Sequence, residues 1–457
     1  MKYRFQPILL FFICLHSYSI LAQPNLDGLY RITPWAQNKK AAACITFDDN
    51  CPGQFDYALP ALNQRNLKAT FFIITGGSQC GNVSWSRVDS AFGSGHEIGS
   101  HSVTHINMTN SDSLTIENEL GNSYQNLRQR YYPEGWKMTI AYPFGRGGGS
   151  SAQDKKIRRL GQKYYFGGRS AGVGASGFTG YNDFTNPFYN AFYMQIGTYV
   201  MGPGNLPTAG QLSAILDSTT KKGGLFTGLY HGIENGGFNN LPVATFNQHL
   251  DSMVARKNNL WITPFGNAIK YHTQRRAKTK FIYLNTGQTA GQANSYYSVY
   301  KFDDTLTEPW FNEPLTVRMW RFFSFDGPGF DSLSGGAKNV ILGPDSIQFD
   351  IRPGDSVLFH YTYTSVKVLA AESKSISVFP NPSSGDFQIL HHGNEALSKM
   401  VSLKILDLNG RTVERQNNLE WRKNVLFVKP KLDLPAGSYF VEIYEGKGVL
   451  RKRWIKE

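Results

Sequence analysis

The sequence predicts an α/β protein: a (β/α) barrel, then a small all-β domain, then a C-terminal β-sandwich-like unit. Two observations carry this order. From about residue 40, apolar strand-like runs alternate with amphipathic helical stretches. Such alternation implies a parallel sheet, and over roughly 230 residues a barrel is more natural than an open sheet. Near residue 275 the helical periodicity stops, and strand-like segments separated by Gly, Asp and Pro turns take over. At 457 residues the chain exceeds one ordinary core. Its 41% hydrophobic and 18% charged residues exclude a disordered or fibrous chain.

Lys2 and Arg4 precede the apolar run ILLFFICL, and small and polar residues follow up to Ala22. Residues 1–22 therefore read as a secretory signal peptide. Residues 23–275 hold the barrel. AACITF is its first strand. FDYALPALNQR is a helix with Phe55, Leu59 and Leu62 on one face and a kink expected at Pro60, and KATFFII is the second strand. A helix near 113–130, the strand MTIAYPF, a helix near 152–162, the strand KYYFGG, a helix near 207–222 and the strand GLFTGLYH follow. ATFNQHLDSMVARK, with Phe246, Leu250 and Met253 on one face, leads into the strand LWITPF. Residues 276–372 contain KFIYLNT, LTVRMWRFF, NVILGPDSIQFDI and DSVLFHYTY, which read as a sandwich. Residues 373–457 contain ISVFPNPSSGDFQI, VSLKILDLNGRTV and LPAGSYFVEIY, with Asn409-Gly410 as a hairpin turn and a basic final strand.

After the signal segment no stretch reaches the ~18 apolar residues that cross a bilayer, so no transmembrane segment is expected. Cys51 and Cys80 fall in loops after strands and could pair in an oxidising compartment, while Cys44 sits in an apolar run as a buried thiol. The net charge of +13 suits acidic glycans or an anionic surface, and equally a generally solvated basic surface. No basic run interleaved with aromatics marks a nucleic-acid groove.

Barrels of this kind place catalytic groups at the C-terminal ends of their strands. ITFDDN presents Asp48 and Asp49 there, and LFTGLYH ends at His231. HEIGSHSVTH supplies His101 and His105, whose spacing on a helix would put both imidazoles on one face. One carboxylate with two imidazoles makes a three-ligand set that leaves a position for water, as a catalytic zinc site needs. The spare carboxylate and histidine are the base and acid that hydrolysis requires. Singly, each feature has a plainer reading: Asp49 or Asn50 as a helix cap, the two histidines as hydrogen-bonded surface residues. The conjunction with His231 favours the site. His96 reads as structural; His16, His249, His272 and His360 carry no catalytic role; His391-His392 reads as a solvated loop. GRGGGSS lacks the ending of a phosphate loop and reads as a flexible rim. Tyr164, Tyr165, Phe166, Phe188, Tyr189, Phe192 and Tyr193 could stack on sugar rings or fill the core.

With these motifs, residues 40 to 272 resemble the metal-dependent polysaccharide deacetylases of the NodB-homology type. TFDD at 46–49, HSVTH at 101–105, YPFG at 142–145 and LYH at 229–231 match four of that family's motifs in order. The resemblance implies a distorted (β/α) barrel with a divalent ion, usually zinc, at its mouth. It implies Asp49, His101 and His105 as metal ligands, Asp48 as general base and His231 as general acid. The Phe144 backbone N–H would stabilise the oxyanion. The family's third motif opens with an arginine that orients the aspartate; Ala141 stands at that position, and Arg169 in YFGGRSAG is the candidate replacement. The family's fourth motif has no convincing match.

VFPNPSSGDF, LKILDLNGRTV and LPAGSYFVEI with the basic tail resemble the type IX secretion sorting domain of Bacteroidetes-type bacteria. That implies passage through the outer membrane by the type IX machinery and release or surface attachment. The combined expectation is a secreted hydrolase removing acetyl groups, N-acetyl above all, from a polysaccharide or oligosaccharide. The rivals are an esterase of O-acetylated xylan-type polymer, a glycan-binding protein whose barrel has lost catalysis, and a hydrolase of small non-sugar amides.

Overall fold

The computed structural model describes residues 26, 29–81, 83–171, 196, 198–200, 207–289, 295–320, 329–343, 346–362, 375–392, 400–407, 412–430, 434–445 and 448–457. The signal segment 1–22 with His16, the aromatics Phe188, Tyr189, Phe192 and Tyr193, and the turn at Asn409-Gly410 lie outside the described residues.

After a short strand β1 (Tyr30–Ile32), the barrel unit runs β2 (Ala41–Phe47), α1 (Leu59–Gln64), β3 (Thr70–Ile73), α2 (Trp85–Gly93), β4 (Glu97–Ser100), α3 (Ser113–Tyr131), β5 (Met138–Ala141) and α4 (Ala152–Gly161). It continues through β6 (Tyr165–Arg169), β7 (Tyr199–Val200), α5 (Ala209–Lys222), β8 (Leu225–Tyr230), α6 (Val243–Ala255), β9 (Leu260–Ile262) and α7 (Phe265–Arg276). The strands are parallel in the order β6-β5-β4-β3-β2-β8-β7, with β9 also on β2.

β2 is buried along its whole length, as a strand covered on both faces must be. Ala43, Ile45 and Phe47 pack outward among the helices. Ala42 and Cys44 point inward with Phe72, Ala141, Ile196 and Leu225, and α7 closes that space with Phe265, Ala268 and Ile269. The barrel is distorted at β2. β8 pairs with Ala42–Phe47 along one edge, while the other edge is shared, β9 taking Ala41–Ala43 and β3 taking Thr46 and Phe47. At the far side Ile196 bridges Arg169, and β7 pairs with β8, so the edges of the curled sheet approach each other.

α2 and β4 come between the second strand and His101, which thus follows the third strand of the barrel sheet. Two local expectations change. LWITPF is strand only to Ile262; Pro264 caps α7 and Phe265 already belongs to it. Pro60 lies in the first turn of α1 within a continuous helical stretch, and a wider π-helical turn, Gln54–Ala58, precedes it in place of the expected kink.

Two four-stranded antiparallel sheets follow. Lys280–Gln288, Ser295–Asp303, Ser356–Thr362 and Gly329–Gly335 form one. The other joins β1 to Leu315–Trp320, Ser346–Ile351 and Lys338–Leu342. Residues from before the barrel thus complete a sheet after it, with Tyr30 opposite Met319. Tyr271 of α7 enters the same core as Phe281, Phe302 and Phe349. At the C-terminus a three-stranded and a four-stranded sheet enclose Trp454 with Phe387, Leu403 and Val441. His391 ends a strand there and is buried, not in a solvated loop. No described helix is long and apolar enough to cross a membrane.

Candidate active site

The mouth of the barrel gathers the residues singled out by the sequence. Asp48 follows β2 directly, its N–H donating to Tyr230 O at the end of β8. In an extended chain Asp48 and Asp49 would face opposite ways. Asp49 instead turns left-handed (φ 75°), as does Asn50 (φ 55°), and both carboxylates reach the same imidazole, that of His101. Neither residue caps a helix: the Asn50 amide bonds to Ile74 and to Gly77 O, tying the loop after β2 to the loop after β3. A Cys51–Cys80 disulfide joins the same two loops, and Cys44 is a free buried thiol.

His101 and His105 do not share a helix face. They lie on a loop after β4, with Ser102 (φ 64°) and His105 (φ 60°) left-handed, and their ring centroids are 4.8 Å apart. Glu119 on α3 holds this loop by accepting from the Val103 and Thr104 N–H groups and the Thr104 hydroxyl at 2.7–3.0 Å. Ser102 Oγ accepts from His105 N. His101 Nδ1 donates to Ala141 O at 2.8 Å, which leaves the Nε2 lone pair directed at the carboxylates.

Asp49 Oδ1 lies 3.3 Å from both His101 Nε2 and His105 Nε2, and Oδ2 lies 3.8 Å from His231 Nε2. Asp48 Oδ2 is 3.6 Å from His101 Nε2. Burial works against the charge on Asp49, but the surrounding imidazoles, His101 first and then His231 and His105, bring its pKa down to about 2. Burial likewise opposes protonation of His101, yet Asp48 and Asp49 raise its pKa. His105 is pushed down to about 4 by burial and by His101, and burial also lowers His231.

Arg169 is fully buried, and its Nη2 donates to Asp48 Oδ1. The register explains how it gets there. β5 and β6 slip by one residue after Met138–Tyr165, so Arg169 pairs directly with Ala141 and faces the barrel interior with it. A bulge re-aims a side chain in this way. The guanidinium therefore arrives one strand over from the position the resemblance gives it, 4.8 Å above the Phe72 ring.

Phe144 sits at φ 54° in a tight turn whose own bonds run from Gly145 N to Tyr142 O and from Arg146 N to Pro143 O. Neither uses the Phe144 amide. The glycine-rich segment after it is pinned, not a loose rim. Arg158 Nη1 donates to Gly147 O and to Gly149 O, Asp154 accepts from Gly147 N, and a Cβ on Gly148 would meet Ser170 Cβ at 2.2 Å.

Two contributors carried no sequence signal. Gln54 Nε2 donates to both Asp48 O (2.5 Å) and His231 O (2.8 Å), joining the backbones that carry two site residues. Phe238 packs edge-on against His231. A glutamine in a π-helical turn and a phenylalanine among glycines are unremarkable as sequence.

Asp49, His101 and His105 are a possible metal site, their ligand atoms within 4.8 Å of one another. Asp49 Oδ1 is buried and has no hydrogen-bond partner among the described residues, which suits a carboxylate reserved for a cation. His96 is structural: its Nδ1 accepts from Ala69 N and its Nε2 pairs with Asn63 Oδ1. His249 and His272 are buried elsewhere, and His360 pairs with Ser334.

Two segments of the chain match known protein families. Residues 36–165 match the polysaccharide deacetylase family, and residues 377–457 match the secretion system C-terminal sorting domain. The first match holds Asp48, Asp49, His101, His105 and Phe144; Arg169 and His231 lie beyond it. A gellan lyase of Bacillus sp is 24% identical over 320 residues, which is 65% of this chain, and this chain spans 12% of that protein's length. Among solved structures, the Xyl-CE4 domain of a multidomain xylanase from the hindgut metagenome of Trinervitermes trinervoides is 16% identical, with a TM-score of 0.34 over 50% of this chain and 90% of that one. A family 4 carbohydrate esterase from Streptomyces lividans in complex with acetate is 18% identical, with a TM-score of 0.33 over 49% and 92%. The chain carries a polysaccharide deacetylase domain and a type IX sorting domain, and the latter implies export to the cell surface or the medium.

Proposed function

We propose that this exported deacetylase-type protein is a metal-dependent hydrolase that removes N-acetyl groups from a polysaccharide or oligosaccharide. The observation that carries the reading is the Asp49 carboxylate, set between the His101 and His105 Nε2 atoms with one oxygen otherwise unpartnered. Those three residues would hold the ion, with zinc favoured by the nitrogen-rich donor set. When bound, such an ion lowers the pKa of water to about 7 and polarises a carbonyl.

The chain's own residues supply the rest. Asp48, held by Arg169, takes the proton from the attacking water. Arg169 also keeps that carboxylate turned towards His101. The Phe144 N–H, free of the turn's own bonds, receives the oxygen that becomes negative during attack. His231, on the other side of Asp49, gives a proton to the departing amine. That proton is needed because an amine anion is a very poor leaving group.

Acetate release from N-acetylated chitin oligomers and from acetylxylan, assayed in parallel, tests the proposal. The expected result is release from the N-acetylated chains, abolished by chelation and restored by zinc, and lowered about 10²–10⁴-fold in Asp48→Asn. Release from acetylxylan alone would make the protein an esterase. Zinc bound with no hydrolysis of any acetylated glycan would make it a binding protein on the same barrel.

A further inference from the structure

Two large apolar side chains stand in water at the mouth of the barrel: Phe144 is 57% exposed and Phe238 is 62% exposed. Each leans on a different site histidine. The Phe144 ring is 4.7 Å from His105, and the Phe238 ring is 5.3 Å from His231. His105 approaches Asp49 through Oδ1 and His231 through Oδ2, so each ring stands beside a histidine that reaches a different oxygen of the one carboxylate.

Neither ring is on a loose segment. Phe144 is fixed by the tight turn already described. Phe238 O accepts from Gly232 N, while Leu241 N donates to Gly232 O and Leu241 O accepts from Glu234 N. Gly237 (φ 121°) lies so close to the disulfide that a Cβ there would come within 2.5 Å of Cys51 Sγ and 2.8 Å of Cys80 Sγ. The disulfide thus serves as a floor for the Phe238 turn. Large phenylalanine side chains exposed on well-held turns beside a polar site are a cost to the free protein that a ligand with an apolar face would remove.

We propose that Phe144 and Phe238 are platforms for the two sugar rings on either side of the acetylated unit in a linear β-linked pyranose chain. The protein then acts on internal units. A pyranose with equatorial substituents presents a face of axial C–H bonds, which complements the negative face of an aromatic ring. With one platform beside each of two site histidines, the chain would span three consecutive units, the central one carrying the acetyl group. This rests on the deacetylase reading for the central unit only; the binding of the flanking rings is independent of turnover.

Calorimetric titration with unacetylated oligomers of one to five units tests it without hydrolysis. Glucosamine-type and xylose-type oligomers form separate arms that identify which backbone is taken. Affinity is expected to rise up to three units. Phe238→Ala should weaken trimer binding about tenfold, Phe238→Tyr should restore it, and Phe144→Ala should act alike. A second readout is the order of acetate loss from an acetylated pentamer, with internal units expected first. Trimer affinity unchanged in Phe238→Ala, or acetate lost from the chain end alone, overturns the proposal. A protein that binds trimers through Phe238 yet releases no acetate sinks the hydrolase reading and leaves the platforms standing.

Discussion

The two ends of the barrel both hold charge, half-buried at one and buried at the other, and they treat it in opposite ways. At the bottom, Glu97 opens β4 and is fully engaged: Thr70 and Thr139 hydroxyls and Gly266 N of α7 all donate to it at 2.7–2.8 Å. Thr70 Oγ1 also accepts from Phe265 N, so the network fastens α7 across the barrel floor. At the mouth, Asp49 Oδ1, Arg169 Nε and His231 Nδ1 are buried without partners among the described residues. A satisfied network stabilises a fold, and an unsatisfied one costs free energy unless a ligand completes it. The difference assigns architecture to the floor and chemistry to the mouth, although both ends are built from the same strands.

The sharpest way to break that assignment is at Arg169. Arg169→Ala removes the partner that orients Asp48, and kcat is expected to fall about 10²-fold or more, the scale of a misplaced catalytic group. Ala141 lies directly opposite on β5, fully buried. Ala141→Arg added to Arg169→Ala should therefore return part of the activity, by bringing a guanidinium to Asp48 from the neighbouring strand. Steady-state kinetics on the preferred glycan decide it. Wild-type kcat in the single variant would remove Arg169 from the site.

Glu97→Ala is the matching test of the floor. It strands two hydroxyls and the Gly266 N–H in the first turn of α7, and should cost about 3 kcal/mol in urea unfolding. Zinc content and kcat of the folded fraction should stay near the parent values. A variant that kept its stability and lost its zinc would erase the contrast between the ends.

Acid sharpens the same comparison, because a structural histidine must stay neutral. His96 accepts from Ala69 N through Nδ1, and burial first, then Lys68, lowers its pKa to about 4 from an ordinary 6.5. Between those values the unfolded chain binds more protons than the folded one, so stability rises with pH there. Stability should accordingly be lost as pH falls from about 6.5 to about 4, with His96 supplying about 2–3 kcal/mol of the change. His249, lowered by burial to about 3, acts in the same direction. Urea midpoints at pH 7 and pH 4.5 measure the slope, and His96→Gln should flatten it. An equal slope in the variant would place the acid lability elsewhere.

Much of this was legible in sequence because it depends on residue type at strand ends. Asp48, Asp49, His101, His105 and His231 could be picked out before any geometry, and Arg169 as the stand-in for the residue absent at Ala141. What could not be read were the conformations that make them converge. The left-handed turns at Asp49, Ser102 and His105 have no glycine to announce them. The slip that turns Arg169 inward is a property of two paired strands, not of either alone. The pairing of β1 with Leu315–Trp320 spans most of the chain and leaves no local trace. Gln54 and Phe238 escaped because their roles are contacts with segments far off in sequence.

The smallest expected effect probes how the mouth is held together without touching its ligands. Glu119 lies on α3, outside the cluster, and its carboxylate gathers three donors from the loop between His101 and His105. That loop runs through left-handed residues at both Ser102 and His105, conformations that persist only where the surroundings impose them. In Glu119→Ala the loop loses its anchor while His101 keeps its bond to Ala141 O. His105 alone should then wander. Zinc affinity is expected to fall about 10–100-fold, the usual consequence of removing a group that orients a ligand. Competition with a chromophoric chelator reads this directly, and saturating zinc should restore most of kcat. Because Glu119 bonds to the loop and not to the ligands, parental zinc affinity in Glu119→Ala would mean the loop holds its shape by itself. The low-energy order of the mouth would then reside in the backbone turns, not in the helix behind them.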